Sequence, residues 1–162
     1  MLNRICCTLN RWVEYSLSLL GILMALLVAV QVFCRYVLNG SLFWSEELAR
    51  YMLVWLSFLG ATVAYYRGLH PGVDVLVRRL SGGARKTSAL LVHGLTICLA
   101  LVMVIAGLEF AWFVRTQVSP ALGIHKWIIL LVIPASGLLL ILYGCHFLFS
   151  IWRRSFQAFL PL

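Results

Sequence analysis

Long apolar stretches separated by short polar segments dominate the hydropathy pattern of this chain. Four of them are long enough to cross a bilayer, since a spanning helix needs about 20 apolar residues. They predict helices over approximately 12–34, 45–66, 87–114 and 127–152. The second reaches spanning length only if its charged first turn, 46–50, lies at the membrane interface. The pattern therefore predicts an all-α integral membrane protein, with four transmembrane helices in a single domain that covers residues 1–162.

A fifth and shorter helix is predicted between the second and third spans, over approximately 71–81. Its apolar residues recur at the i, i+3, i+4 and i+7 spacing of one helix face, and Asp74 and Arg78 share another face. A short basic helix with one apolar stripe lies in the plane of the membrane interface. We expect Asp74, Arg78 and Arg79 to hold this amphipathic helix there.

The composition also indicates a membrane protein. Hydrophobic residues make up 63% of the chain and charged residues 11%, against about 25% charged residues in an average soluble domain. The net charge of +8 would suggest nucleic acid in a soluble protein. Here the basic residues flank apolar segments, where they meet lipid headgroups and set topology. We therefore expect membrane lipid as a partner and no nucleic acid.

The distribution of basic residues predicts the orientation. The N-terminus, the 67–86 segment and the C-terminus hold nine of the 13 Lys and Arg residues. The other side holds four: Arg35, Arg50, Arg115 and Lys126. Because basic residues concentrate on the cytoplasmic side, both termini of this multi-pass protein are predicted to be cytoplasmic. In a bacterial inner membrane the other side would face the periplasm. The basic N-terminal segment lacks a convincing cleavage site, which predicts a retained first span and not a signal peptide.

The strongest cluster of charged residues lies at the start of the second span. Glu46 and Arg50 form an i, i+4 pair in the favourable order, and Glu47 is three residues before Arg50. Carboxylates near lipid need cationic partners, so Arg50, Arg35 or Arg115 is expected to supply one. Such a cluster can bind an ion or take up a proton. A structural ion-pair network that fixes helix register or a subunit contact is the favoured interpretation.

Glu109 is a second carboxylate at membrane depth, in the outer part of the third span. An ionisable residue there is a functional candidate by default. A structural explanation accounts for a carboxylate at this depth equally well: Glu109 snorkels to the interface or pairs with Arg35 or Arg50. The alternative is an autonomous small transporter or channel that uses Glu109 as an ion site.

Two histidines raise an electron-transfer alternative. His93 lies early in the third span and His146 late in the fourth, so antiparallel helices place both at the same end, where two imidazoles can ligate haem. This would be a cytochrome b-like membrane subunit, although a single site at one end leaves the electron path incomplete. The five cysteines form no CxxC pair and no metal-ligand spacing. No catalytic residue, substrate site, metal or cofactor is therefore predicted.

Three parts of the chain resemble a known family, the small membrane subunit (DctQ-like) of tripartite ATP-independent periplasmic (TRAP) transporters. They occur in matching order and cover nearly the whole chain. They are Arg35-Tyr36 with WSEELARY at 44–51 and VWLSFLGA at 54–61, then GLHPGVD at 68–74, and then SPALGI at 119–124 with Pro134 beyond.

The resemblance implies a function without catalysis. It implies a large multi-span membrane subunit that moves the substrate and a periplasmic substrate-binding protein that delivers it. Uptake of an organic acid would be driven by an ion gradient, usually sodium, with this chain as the scaffold. On this basis Glu46, Glu47 and Arg50, with Arg35 and Trp44, are expected to fix the outer ends of the first two spans and to contact a partner.

Overall fold

The fold is a bundle of four long helices and one short helix, seen in a computed structural model that describes residues 2–40, 42–68 and 82–157. Four helices in this part of the chain are long and apolar enough to cross a membrane, and the described ranges contain no strand. The predicted all-α fold with four spans is confirmed. The helices are α1 (Leu2–Tyr36), α2 (Phe43–Arg67), α3 (Gly82–Phe113), α4 (Lys126–Leu130) and α5 (Val132–Gln157).

The interfacial helix predicted over 71–81, with Asp74, Arg78 and Arg79, lies outside the described residues and stays a prediction.

The bundle has two ends that carry different contacts. Contacts between the first part of α1 and the last part of α2 mark the end of the bundle where α1 begins and α5 ends, which we call the terminal end. The connection between α1 and α2 and the segment 114–125 lie at the opposite end, which we call the loop end. The long helices therefore run antiparallel in sequence order.

The second helix begins earlier than the sequence predicts. It starts at Phe43, after an extended Leu42, and Ser45 lies inside the first turn. The buried Ser45 hydroxyl donates a hydrogen bond to the Leu42 carbonyl at 2.7 Å, so it does not accept one from the free amides as a capping residue would. The helix ends where Gly68 takes the left-handed conformation, with φ of 65°, which is a common helix terminator.

Helices α3 and α5 form the most extensive contact of the bundle. Small residues allow their backbones to approach closely. A Cβ atom built on Gly137 would lie 2.9 Å from the Ala100 carbonyl oxygen and 2.9 Å from Val104 Cγ2. One on Gly107 would lie 3.0 Å from Pro134 Cδ. This is how helices associate in lipid, where close packing replaces the hydrophobic effect.

Helix α1 packs mainly on α2, and α2 connects it to α5. The most apolar 18-residue stretch of α1 contains no buried residue, so this helix presents most of its surface to the surroundings. Among the α1 residues whose exposure is described, Cys6 and Asn10 are buried, and they lie near the terminal end.

The fourth span is interrupted between α4 and α5. Pro134 has no backbone N–H for the Leu130 carbonyl one turn earlier, so the helix cannot continue regularly at this point. The Trp55 indole N–H of α2 donates to the Ile129 carbonyl at 3.1 Å. This hydrogen bond ties the interrupted segment to α2.

Candidate functional site

Glu47 holds the loop end together. Its Oε2 accepts a hydrogen bond from the Ala121 backbone N–H at 3.0 Å, and its Oε1 accepts one from the Tyr51 hydroxyl. A charged acceptor strengthens both hydrogen bonds. Glu47 therefore fastens the 119–123 turn to the first turns of α2.

The turn that Glu47 holds is closed by its own backbone. Ser119 donates to the Ile124 carbonyl at 2.8 Å, and Gly123 donates back to the Ser119 carbonyl at 3.0 Å. Gly123 has a φ of 67°, a conformation that glycine adopts without steric cost. The Ser119 side chain is buried and accepts from the Leu122 N–H at 3.3 Å. The turn is a compact structure and not an open loop.

Glu46 joins the end of α1 to the start of α2. Its Oε1 lies 3.8 Å from Arg35 Nη1, and both side chains are more than half exposed. The predicted Glu46–Arg50 pair is absent from the ion pairs of the described residues. Arg50 and Trp44 are exposed at the same end. The structure thus brings Arg35 and Glu46 together, and it gives Glu47 a different role.

Glu109 lies on the outward side of α3. It is exposed, and in the described parts of the chain it forms no ion pair. Of its expected partners, Arg35 is engaged with Glu46. Neither Arg35 nor Arg50 forms an ion pair with Glu109 among the described residues. Glu109 lies four positions before Phe113, the last residue of α3, or about 6 Å of helix rise. This distance is short enough for its side chain to snorkel to the interface.

Sequence reasoning missed the strongest charged contact, which lies at the terminal end. Arg67 binds both carboxylate oxygens of Glu14, with Nε at 2.7 Å from Oε1 and Nη2 at 2.6 Å from Oε2. Asn10 also donates to Glu14 Oε1. Glu14 is the single carboxylate at the start of the first apolar run, and its need for a cation near lipid was the available signal.

The two histidines are not arranged as haem ligands. Nδ1 of His93 lies 2.7 Å from the Tyr65 hydroxyl in a hydrogen bond. The Phe147 ring stacks on His93 at 5.1 Å between centroids and also touches His146 at 5.5 Å. His93 serves as a contact between α2, α3 and α5. The structure does not support the cytochrome alternative, and among the described residues no group of three or more His, Cys, Asp or Glu side chains is placed to hold a metal.

Fold and contacts together define a class: a polytopic four-helix membrane protein whose described carboxylates mostly link elements of the bundle and do not converge on an interior site. The chain matches the family described as tripartite ATP-independent periplasmic transporters, DctQ component, over residues 24–154. It belongs to this family of transporter components.

Several relatives are similar to parts of the chain. One relative is a Haemophilus influenzae protein named as a TRAP transporter small permease protein. It is 38% identical over 77 residues, which are 45% of this chain and 48% of that protein. The C4-dicarboxylate TRAP transporter small permease protein DctQ of Rhodobacter capsulatus is 29% identical over 102 residues, 62% of this chain and 45% of that protein. The matched segments thus span about half the length of these relatives.

A third relative is much longer. The isethionate TRAP transporter permease protein DctMQ of Oleidesulfovibrio alaskensis is 32% identical over 95 residues. The match covers 57% of this chain and 15% of that protein.

Proposed function

We propose that this protein is the scaffold subunit of a TRAP transporter that takes up an organic acid. The observation that carries the proposal is the use of the carboxylates Glu14, Glu46 and Glu47. Each contacts a partner on another helix or on the loop-end turn: Arg67, Arg35 and the Ala121 N–H. Carboxylates that hold the bundle together are typical of a scaffold. In a transport pathway, ionisable groups instead line the route of the substrate or ion.

The partners follow from the same family. A large membrane subunit moves the substrate, and a periplasmic binding protein delivers it. The long relative supports the first part, since a segment similar to this chain makes up 15% of a single permease protein. The small subunit then supplies helices that anchor the fixed part of the transporter in the membrane.

The substrate class and energy source are part of the proposal. Relatives are named for C4-dicarboxylates and for isethionate, which are organic anions, and this supports an organic acid. The family description is ATP-independent, which supports an ion gradient, with sodium as the proposed ion. The basic residues around the terminal end support cytoplasmic termini in the bacterial inner membrane.

The exposed groups of the loop end are the proposed contacts on the periplasmic side. Trp44, Glu46 and Arg50 lie in the first two turns of α2 at that end and are accessible, and Glu46 pairs with Arg35. Glu47 acts indirectly by holding the 119–123 turn in place. Asp74, Arg78 and Arg79 are proposed to hold the interfacial helix at the cytoplasmic side.

Reconstitution tests the proposal. The chain is co-expressed with a large TRAP membrane subunit, purified through a tag on this chain and placed in liposomes with the matching binding protein and a C4-dicarboxylate or isethionate. We expect the large subunit to co-purify and uptake to require all three proteins and an inward sodium gradient. Monensin, which dissipates that gradient, should abolish uptake.

The control is this chain reconstituted alone. Uptake by the chain alone would overturn the scaffold proposal and favour an autonomous transporter that uses Glu109. Failure of a large subunit to co-purify would also contradict it.

A further inference from the structure

An open cavity of about 580 Å³ lies where α3 ends and the fourth span begins. Its lining combines three kinds of side chain. Arg115 and His125 are polar, Trp112 and Trp127 contribute aromatic rings, and Leu108 and Leu131 contribute apolar surface. None of the lining residues is acidic.

The cation of this cavity is held in place without a carboxylate. The Arg115 guanidinium lies 4.0 Å from the centre of the Trp112 ring, a cation–π contact that orients the group. In the described parts of the chain, the ion pairs involve Arg35 and Arg67, and Arg115 forms none. A guanidinium stacked on an aromatic ring keeps its N–H donors free at the edge, in the planar arrangement that suits phosphate oxygens.

The cavity spans the membrane boundary. The third candidate span ends at Phe113 and the fourth begins at Lys126, so Arg115 and His125 lie at headgroup level. Leu108 lies five residues before Phe113, the last residue of α3, which places it about 8 Å of helix rise deeper toward the bilayer centre. Tryptophan rings are typical of this boundary. One end of the cavity is therefore polar and cationic, and the other is apolar and faces the acyl chains.

We propose that this cavity binds a phospholipid, with the phosphodiester at Arg115 and His125 and an acyl chain along Leu108 and Leu131. A free phosphate or organic anion would use the cationic end alone and leave the apolar end without a ligand. A lipid without phosphate would leave Arg115 unpaired. The lipid would occupy the seam between α3 and the start of the fourth span, and it would stabilise the loop end there.

Native mass spectrometry of the full chain in detergent, after delipidation, tests the site. Four probes are added separately: phosphatidylglycerol, phosphatidylethanolamine, diacylglycerol and glycerol phosphate. We expect adducts with the two phospholipids, while diacylglycerol lacks the phosphate and glycerol phosphate lacks the chains. Equal binding of glycerol phosphate would show a simple anion site, and equal binding of diacylglycerol would show an apolar groove; either result would overturn the proposal.

Two variants distinguish phospholipid binding in this cavity from non-specific lipid binding elsewhere on the protein. Arg115→Gln should lower phospholipid affinity about tenfold, because hydrogen bonds to charged groups contribute on that order. Arg50→Gln removes another exposed arginine of the loop end, outside the cavity, and should leave affinity unchanged. Circular dichroism checks that both variants stay folded. An equal effect of the two variants, or none from Arg115→Gln, would contradict the assignment, and neither outcome depends on the transport function proposed above.

Discussion

The two helix pairs of the bundle are held together in different ways. Helices α3 and α5 pack closely along their length through glycine and alanine, and Gly137 lies directly against the Ala100 backbone. Helices α1 and α2 are joined at their ends by charged contacts, Glu14 with Arg67 and Glu46 with Arg35. The apolar middle of α1 is exposed.

The difference follows from where each kind of contact is favourable. Close packing of small residues needs no polar group and works at any depth in lipid. Ion pairs are costly at the centre of a bilayer and cheaper near its boundaries. The α3–α5 pair is therefore held by close packing, and the α1–α2 pair by charged contacts at its ends. The exposed middle of α1 remains available for lipid or a neighbouring subunit.

The largest expected effect comes from adding one methyl group to the α3–α5 contact. Gly137→Ala places a Cβ 2.9 Å from the Ala100 carbonyl oxygen, a backbone atom that cannot rotate away. Overpacking of this kind costs about 1–3 kcal/mol of the free energy of unfolding. Titration of the purified protein in mixed micelles with SDS, followed by circular dichroism, measures this loss.

Gly60→Ala in α2 is the matched control. A Cβ at Gly60 has nothing within 4 Å, and alanine favours a helix more than glycine does. Its unfolding midpoint should equal or exceed that of the unmodified protein. If Gly137→Ala and Gly60→Ala lower the stability equally, close packing is not what distinguishes the α3–α5 contact from the α1–α2 contact.

An intermediate effect is expected at the terminal end of the α1–α2 pair. Glu14→Gln and Arg67→Gln each remove one side of a two-bond ion pair and leave the other charge unpaired near lipid, so each should lower the SDS midpoint. The double variant should lose no more than the more damaging single variant, because the contact is already absent.

Arg4→Gln, at an exposed arginine of the same helix, should leave the midpoint unchanged. Strictly additive losses in the double variant would show that Glu14 and Arg67 act independently. The charged contact would then not be what holds α1 and α2 together at this end.

The spans could be predicted from sequence because the lipid environment imposes a simple rule on length and hydropathy. The four apolar runs are sufficient to predict the number and order of the spans. The start of α2 is harder to predict, because Ser45 resembles a capping residue although its hydroxyl donates to the Leu42 carbonyl. The interruption before Pro134 follows from the missing N–H of proline.

The partners of the charged residues could be predicted only in part. The need of Glu46 for a cation was predictable, and Arg35 was among the candidates. The local i, i+4 spacing nevertheless favoured Arg50, while the connection between α1 and α2 brings Arg35 to Glu46. No pattern of side chains reveals that Glu47 binds the backbone N–H of Ala121, 74 residues away. Backbone donors have no sequence signature, so such a contact needs the folded chain.

The smallest expected effect on stability distinguishes the two neighbouring carboxylates at the loop end. Glu47→Gln weakens the charged acceptor for the Ala121 N–H. Amide exchange in the 119–123 turn should accelerate roughly two- to tenfold, as expected for local opening after one weakened hydrogen bond. Hydrogen–deuterium exchange of peptides from this turn measures it, while the SDS midpoint should hardly change.

Glu46→Gln is the neighbouring control and breaks only the exposed contact with Arg35. Exchange in the turn should stay as in the unmodified protein, because Glu46 does not contact the turn through any hydrogen bond of the described residues. Acceleration by both variants would mean that the carboxylates act as one cluster. If only Glu47→Gln accelerates exchange, Glu46 is the carboxylate left accessible to a partner, and its replacement should weaken co-purification of the large subunit without loosening the turn.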